Sequence, residues 1–163
     1  MDRPDTANTA VRMQLHGLLE TSGAYTLVQK LWSGKGQVIR YEFVDIEDFY
    51  ACMHSATYAP TIVVSTHILR NGLASDNFLR IFLLHELGHI DHVCRAYFSQ
   101  APKIENTDID AAEAEADNFV VACGQKDALI DLLEKLEDIR IGQGLDETVN
   151  IRRLRRLRAL DSE

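Results

Sequence analysis

Residues 78–98 run FLRIFLLHELGHIDHVCRAYF, with His85-Glu86-Leu87-Gly88-His89 near their centre. Apolar residues fall on almost every side of the segment: Phe78, Leu79, Ile81, Phe82, Leu83, Leu84, Leu87, Ile90 and Val93. A helix apolar nearly all round is a central, buried one. Ser75 or Asp76, just after the break at Asn71-Gly72, can cap it. Residues i and i+4 share a helix face, so His85 and His89 direct their imidazoles at one point. Glu86 is rotated from His85 by about 100° and flanks that point. This is the HExxH pattern, in which two His bind zinc and the Glu is the general base of a metallohydrolase. The bare string also occurs on ordinary helices with solvated side chains. Burial decides between the two, because buried imidazoles without partners are costly. A metal is therefore the expected partner.

A catalytic zinc takes three protein ligands and leaves a fourth position open. His92 lies along the same side of the helix. At about 1.5 Å rise per residue, however, it sits about 10 Å beyond His85, whereas ligand atoms on one zinc lie about 3 Å apart. The remaining source is downstream, where six carboxylates and no basic residue stand between Lys103 and Lys126. Residues 110–116 form helix readily and carry acids in the first turns, and Phe119, Val120 and Val121 then supply a buried stripe. Glu113 and Asp117 share a face at i, i+4. Glu113 is the expected third ligand, and Asp117 the expected acceptor for the outer ring N–H of a metal-bound His. Glu115 points elsewhere by helix phase and stands as the alternative ligand.

The flanking sequence predicts helices over 5–20 and 25–32, separated by Thr21-Ser22-Gly23. Strands are predicted over 37–44, 49–53 and 61–65, with Pro60 favouring an extended lead-in or an edge position for the last. Further helices are predicted over 128–139, capped by Asp127, and from 146 onward, with Ile151, Leu154, Leu157 and Leu160 as an apolar stripe. The fold class is α+β, mostly helical with a small sheet of about three strands packed on the HExxH helix. His54, Tyr58, His67 and Tyr97 are the side chains of a type suited to stabilising an oxyanion, each more easily read as structural. The strand at 61–65 is a candidate for binding an extended peptide at its edge.

Composition bounds the rest. At 163 residues, with 46% hydrophobic and 26% charged residues, the chain reads as one ordinary globular domain. No apolar run reaches the roughly 20 residues that span a bilayer, and the first residues, Met1-Asp2-Arg3-Pro4-Asp5, carry no signal-peptide core. Cys52, Cys94 and Cys123 form neither a CxxC pair nor a disulfide framework, so a cytoplasmic, reducing setting is expected. The net charge of −8 is unevenly spread. Residues 151–163 carry +3, leaving −11 on the other 150. That acidic body argues against nucleic-acid binding. The arginines of the last helix are expected to form a solvated basic face.

The helix carrying His85-Glu86-Leu87-Gly88-His89, followed by Glu113-Ala114-Glu115-Ala116-Asp117-Asn118-Phe119, resembles the ImmA/IrrE family of zinc metallopeptidases, a gluzincin-type arrangement. That family's Glu helix runs Glu-x-Glu-Ala-Asn-x-Phe-Ala toward Leu-Met-Pro. The match holds at Glu113, Glu115, Ala116 and Phe119. Asp117 replaces the Asn, Val120 the following Ala, and Val120-Val121-Ala122-Cys123-Gly124 stands where Leu-Met-Pro is usual. The resemblance covers roughly residues 38–123. It implies a zincin-like domain over 1–145, with 146–163 as a basic amphipathic helix belonging to the same domain or appended to it. It also implies Zn²⁺ as cofactor, Glu113 as ligand, and a protein substrate, a helix-turn-helix transcriptional repressor encoded on the same phage or mobile element. A non-catalytic regulator that binds such a repressor without cutting it is the rival reading. A DNA-binding protein using the arginine helix is a third.

Overall fold

The structure is a computed structural model that describes residues 9–33, 35, 38–46, 51–54, 60–98, 109–144 and 149–160, the side chains of 51–54 and 96–98 excepted. The chain is α+β. In order, α1 (Thr9–Thr21) and α2 (Ala24–Trp32) precede β1 (Arg40–Val44), β2 (Ala51–His54) and β3 (Thr61–Ser65). There follow α3 (His67–Arg70), α4 (Asp76–Phe98), α5 (Ile109–Ala122), α6 (Lys126–Gly142) and α7 (Val149–Ala159).

The core forms around α4. Leu79, Ile81, Leu83, Leu84, Leu87 and Ile90 are all fully or almost fully buried, as its all-round apolar sequence requires. Ser75 caps the helix by accepting the Phe78 backbone N–H at its side-chain oxygen (3.3 Å). On α4 pack α1, α2, α5, α6 and the strands β2 and β3. The helix α1 contributes Leu15 and Leu19, and α2 contributes Ala24, Val28 and Trp32 at helical spacing. Gly23 joins the two at a φ of 76°, a left-handed conformation that costs a residue with a Cβ more than it costs glycine. Beyond α2, Lys35 lies 4.6 Å over the Trp32 ring and pairs with the buried Asp91 of α4. Arg95 holds Asp91 from the other side at 2.8 Å.

The sheet has the order β1-β3-β2. β3 runs parallel to β1, from Arg40↔Thr61 to Val44↔Ser65, and antiparallel to β2, from Ala51↔Val64 to His54↔Thr61. Pro60 precedes the first paired residue, where its missing N–H is harmless, and its carbonyl accepts from Arg40 N at 2.9 Å. The expectation that 61–65 offers an edge for a peptide is overturned: β3 is the central strand, bonded on both sides. Burial of Ile62, Val63, Val64 and Ser65 in succession is what a strand covered on both faces shows. α3 was not expected from the sequence. It is a four-residue turn of helix that begins where Thr66 and Ser65 turn the chain off the sheet.

α7 packs on α6 and α5, burying Leu154 and Leu157. Its basic face is not simply solvated, which corrects the sequence expectation. Arg152 pairs with Asp110 at 2.9 Å, Arg153 with Glu113 and Asp117, Arg156 with Asp117, and Arg158 with Glu134. The acidic α5 and the basic α7 thus answer each other's charge. No helix among the described residues is long and apolar enough to cross a membrane.

Candidate metal centre

Three side chains from two helices converge. His85 Nε2 and His89 Nε2 lie 3.2 Å apart. Glu113 places Oε2 3.2 Å from His85 Nε2 and Oε1 3.4 Å from His89 Nε2. A tetrahedral ion with bonds of about 2.0–2.1 Å spaces its ligand atoms about 3.3 Å apart; the two imidazole nitrogens have that spacing, and each has one oxygen of Glu113 at a matching distance. The donor set fits as well, since two imidazoles and a carboxylate suit a borderline divalent metal. His85, His89 and Glu113 form the group able to hold a metal ion among the described residues.

One contact makes the convergence possible. A Cβ on Gly88 would lie 2.9 Å from Ala116 Cα, 2.9 Å from Phe119 Cβ and 3.0 Å from the Ala116 carbonyl oxygen. Only glycine lets the backbones of α4 and α5 approach this closely, and that approach brings Glu113 to the two histidines.

Asp117, one turn beyond Glu113, is fully buried. Its Oδ1 is 3.2 Å from His85 Nδ1 and also accepts from Arg153 Nη2 at 2.6 Å. Arg153 Nε donates to Asp117 Oδ2 at 3.0 Å, completing a two-point fork. The 3.3 Å approach of Arg153 Nη2 to His85 Nδ1 follows from both donors converging on one carboxylate. With Nδ1–H turned to Asp117, His85 presents the Nε2 lone pair inward. Arg153 Nη1 further contacts Glu113 Oε2 at 2.8 Å, and Arg156 Nη2 reaches Asp117 Oδ2 at 2.5 Å.

These pairings set the protonation of the metal-free site. Burial works against charge on His85, but hydrogen bonds to Asp117 and Glu113 overcome it and push the imidazole up to about 9. Burial likewise opposes ionisation of Glu113, yet the bonds to His85 and His89 hold it well below the usual carboxylate range. Asp117 is depressed in the same way: burial raises it, and His85 and Arg153 more than compensate. Glu86, only 6% exposed, is pushed up by burial, with His85 and His89 pulling the other way. A carboxylate raised toward neutrality is a better proton acceptor than a solvated one.

The other candidates lie apart from this cluster. His92 faces Glu115 at 3.9 Å, and Glu115 is the more exposed acid, its side chain 49% exposed against 22% for Glu113. Both therefore stand outside the ligand triangle. His67 is held by Asp45 at 3.0 Å and Arg70 at 3.1 Å beside β3. Tyr58 and the side chains of His54 and Tyr97 lie outside the described residues. Sequence reasoning missed Arg153 and Arg156. The available signal was the site's own charge balance: a buried and a half-buried carboxylate on one helix face call for cations, and the arginine-rich helix was the nearest concentrated supply. No protein-family model matches the chain, and neither does any curated protein or solved structure.

Proposed function

We propose that the chain is a zinc-dependent endopeptidase of zincin-like fold, with His85, His89 and Glu113 holding the metal. The observation that carries this reading is the convergence of His85 Nε2, His89 Nε2 and the Glu113 carboxylate at 3.2–3.4 Å, with a buried carboxylate, Glu86, on the residue adjoining His85. A purely structural zinc site is filled by four protein ligands; this group offers three and a base. The order of sheet, metal-binding helix and glutamate helix agrees with the ImmA/IrrE resemblance. On that resemblance the substrate is a helix-turn-helix repressor encoded on the same phage or mobile element.

Zinc held by His85, His89 and Glu113 would supply Lewis-acid chemistry, lowering the pKa of a bound water toward about 7 and polarising the scissile carbonyl. Asp117 keeps His85 in the tautomer that offers Nε2 inward, and Arg153 keeps Asp117 in place. Glu86 accepts the proton of the attacking water and delivers it to the departing amine. Its burial raises its affinity for that proton above that of a solvated carboxylate.

The test is Glu86→Gln with zinc content measured alongside cleavage of the co-encoded repressor. Retained zinc with cleavage reduced about 10²- to 10⁴-fold, the usual worth of a general base, supports the peptidase. Full repressor inactivation by the zinc-loaded variant would overturn it in favour of a regulator that binds without cutting.

A further inference from the structure

Arg153 stands 40 residues beyond Glu113, on a helix that supplies no metal ligand, yet it grips two of the groups that shape the centre. Its side chain is 11% exposed. One planar guanidinium contacts Glu113 Oε2 at 2.8 Å and both oxygens of Asp117 at 2.6 and 3.0 Å. Arg156 reaches Asp117 through Oδ2, and no other ion pair of it is seen among the described residues; its side chain is 34% exposed. Leu154 and Leu157, buried on either side of Arg156, root the helix on the body of the protein.

We infer that Arg153 is a positioning residue for the metal centre and that, through it, docking of α7 and occupation of the centre by metal favour each other. The inference rests on the metal-binding reading above. A carboxylate has two oxygens, and the guanidinium fixed on Oε2 leaves Oε1, on the His89 side, free of the arginine, so it would favour binding of a metal through one oxygen of Glu113. The same fork fixes Asp117, which orients the His85 ring. Repulsion between the guanidinium and a divalent cation would be offset by the two carboxylates that Arg153 contacts. Lysine carries the same charge without the rigid fork, so charge and geometry can be separated. Coupling of this kind is reciprocal: whatever factor the docked helix adds to metal affinity, the metal adds to docking of the helix.

The experiment uses the full chain. Zinc affinity is measured by competition with a chromogenic chelator for the wild type, Arg153→Gln, Arg153→Lys and Arg156→Gln. Amide exchange over 149–159 is followed in wild-type protein with zinc and with chelator. Arg153→Gln is expected to lose about 10- to 100-fold in affinity, the range for removing a partner that orients a ligand. Arg153→Lys recovers only part of the loss, and Arg156→Gln changes affinity less than Arg153→Gln does. Zinc slows exchange in α7 by at least tenfold while leaving α1 unchanged. A folded Arg153→Gln variant with wild-type affinity overturns the inference. So does full rescue by lysine, or exchange in α7 that ignores zinc, a readout that survives if Arg153→Gln does not fold. Failure of the wild type to bind zinc at all would instead remove the metal-binding reading itself.

Discussion

Replacing Gly88 with alanine adds one methyl group at the tightest point between α4 and α5. That methyl would sit 2.9 Å from Ala116 Cα and Phe119 Cβ, whereas carbon atoms in contact prefer about 3.5–4.0 Å. Ala116 Cα belongs to the backbone and cannot rotate away, so α5 must retreat by about 0.6–1 Å. Glu113 lies one turn before Ala116 on the same helix and moves with it. Metal sites tolerate ligand displacements of about 0.2 Å, so the retreat exceeds the tolerance several-fold. Overpacking costs about 1–3 kcal/mol, while alanine is better than glycine in a helix by about 1 kcal/mol. The net loss of stability is then about 0–2 kcal/mol, or a fall in Tm of at most about 8 °C. Zinc affinity falls at least tenfold, equivalent to about 1.4 kcal/mol. Thermal melts with chelator and chelator-competition titrations read the two quantities separately. Wild-type zinc affinity together with an unchanged Tm would refute the reasoning, because it would mean that the close approach of the two helices does not set the position of Glu113.

Glu113→Gln is expected to lower zinc affinity by at least tenfold, and Glu115→Gln to leave it within threefold, the order of loss expected for a ligand against a non-ligand; the reverse pattern in equilibrium dialysis would move the ligand to Glu115. The metal-free protein should be most stable in mildly acidic solution. Glu113 and Asp117 are depressed, so their contribution is present above the ordinary carboxylate range and is lost as pH falls through their lowered values. His85 is raised from 6.5 to about 9, so its contribution is complete below 6.5 and is lost as pH rises through about 9. Glu86, also raised, acts in the same direction as His85. The His85 displacement is worth on the order of 3 kcal/mol. Melts in chelator at pH of about 5.5, 7.5 and 9.5 should therefore show a falling Tm, and added zinc should recover more of it at the higher pH, where His85 no longer holds a competing proton. A Tm that rises across that series in chelator would contradict the assigned pairings.

The parts of the site that lie on one helix were legible from helical phase. His85 and His89 at i, i+4, and Glu113 and Asp117 at i, i+4, need only a 3.6-residue period to be placed on their faces, and the buried character of α4 follows from its apolar residues. The strand segments were also readable, but not their order, because β3 pairs with β1 across an intervening strand and no local pattern specifies that. The unbroken apolar run Ile62-Val63-Val64 did carry the clue to a central position. Gly88 reads in sequence as a weak helix residue, and its value becomes visible only when Ala116 and Phe119 lie against it. Arg153 was illegible for a similar reason: its carboxylate partners are 36 and 40 residues away, and an arginine serving a buried carboxylate is indistinguishable in sequence from one facing water. The short α3 leaves no periodic signal, since four residues barely complete one turn.

The distance along the chain between Asp117 and Arg153 also has a meaning in time. At about 5–20 residues per second of synthesis, the 36 residues separating them take about 2–7 s to be made. During that interval Glu113 and Asp117 have their histidine neighbours on α4 but not the guanidinium that holds them in the complete fold. The last helix to leave the ribosome among the described elements is the one that completes the charge balance at the centre. The charge balance between α5 and α7 is thus completed only when the last of the described helices has been made.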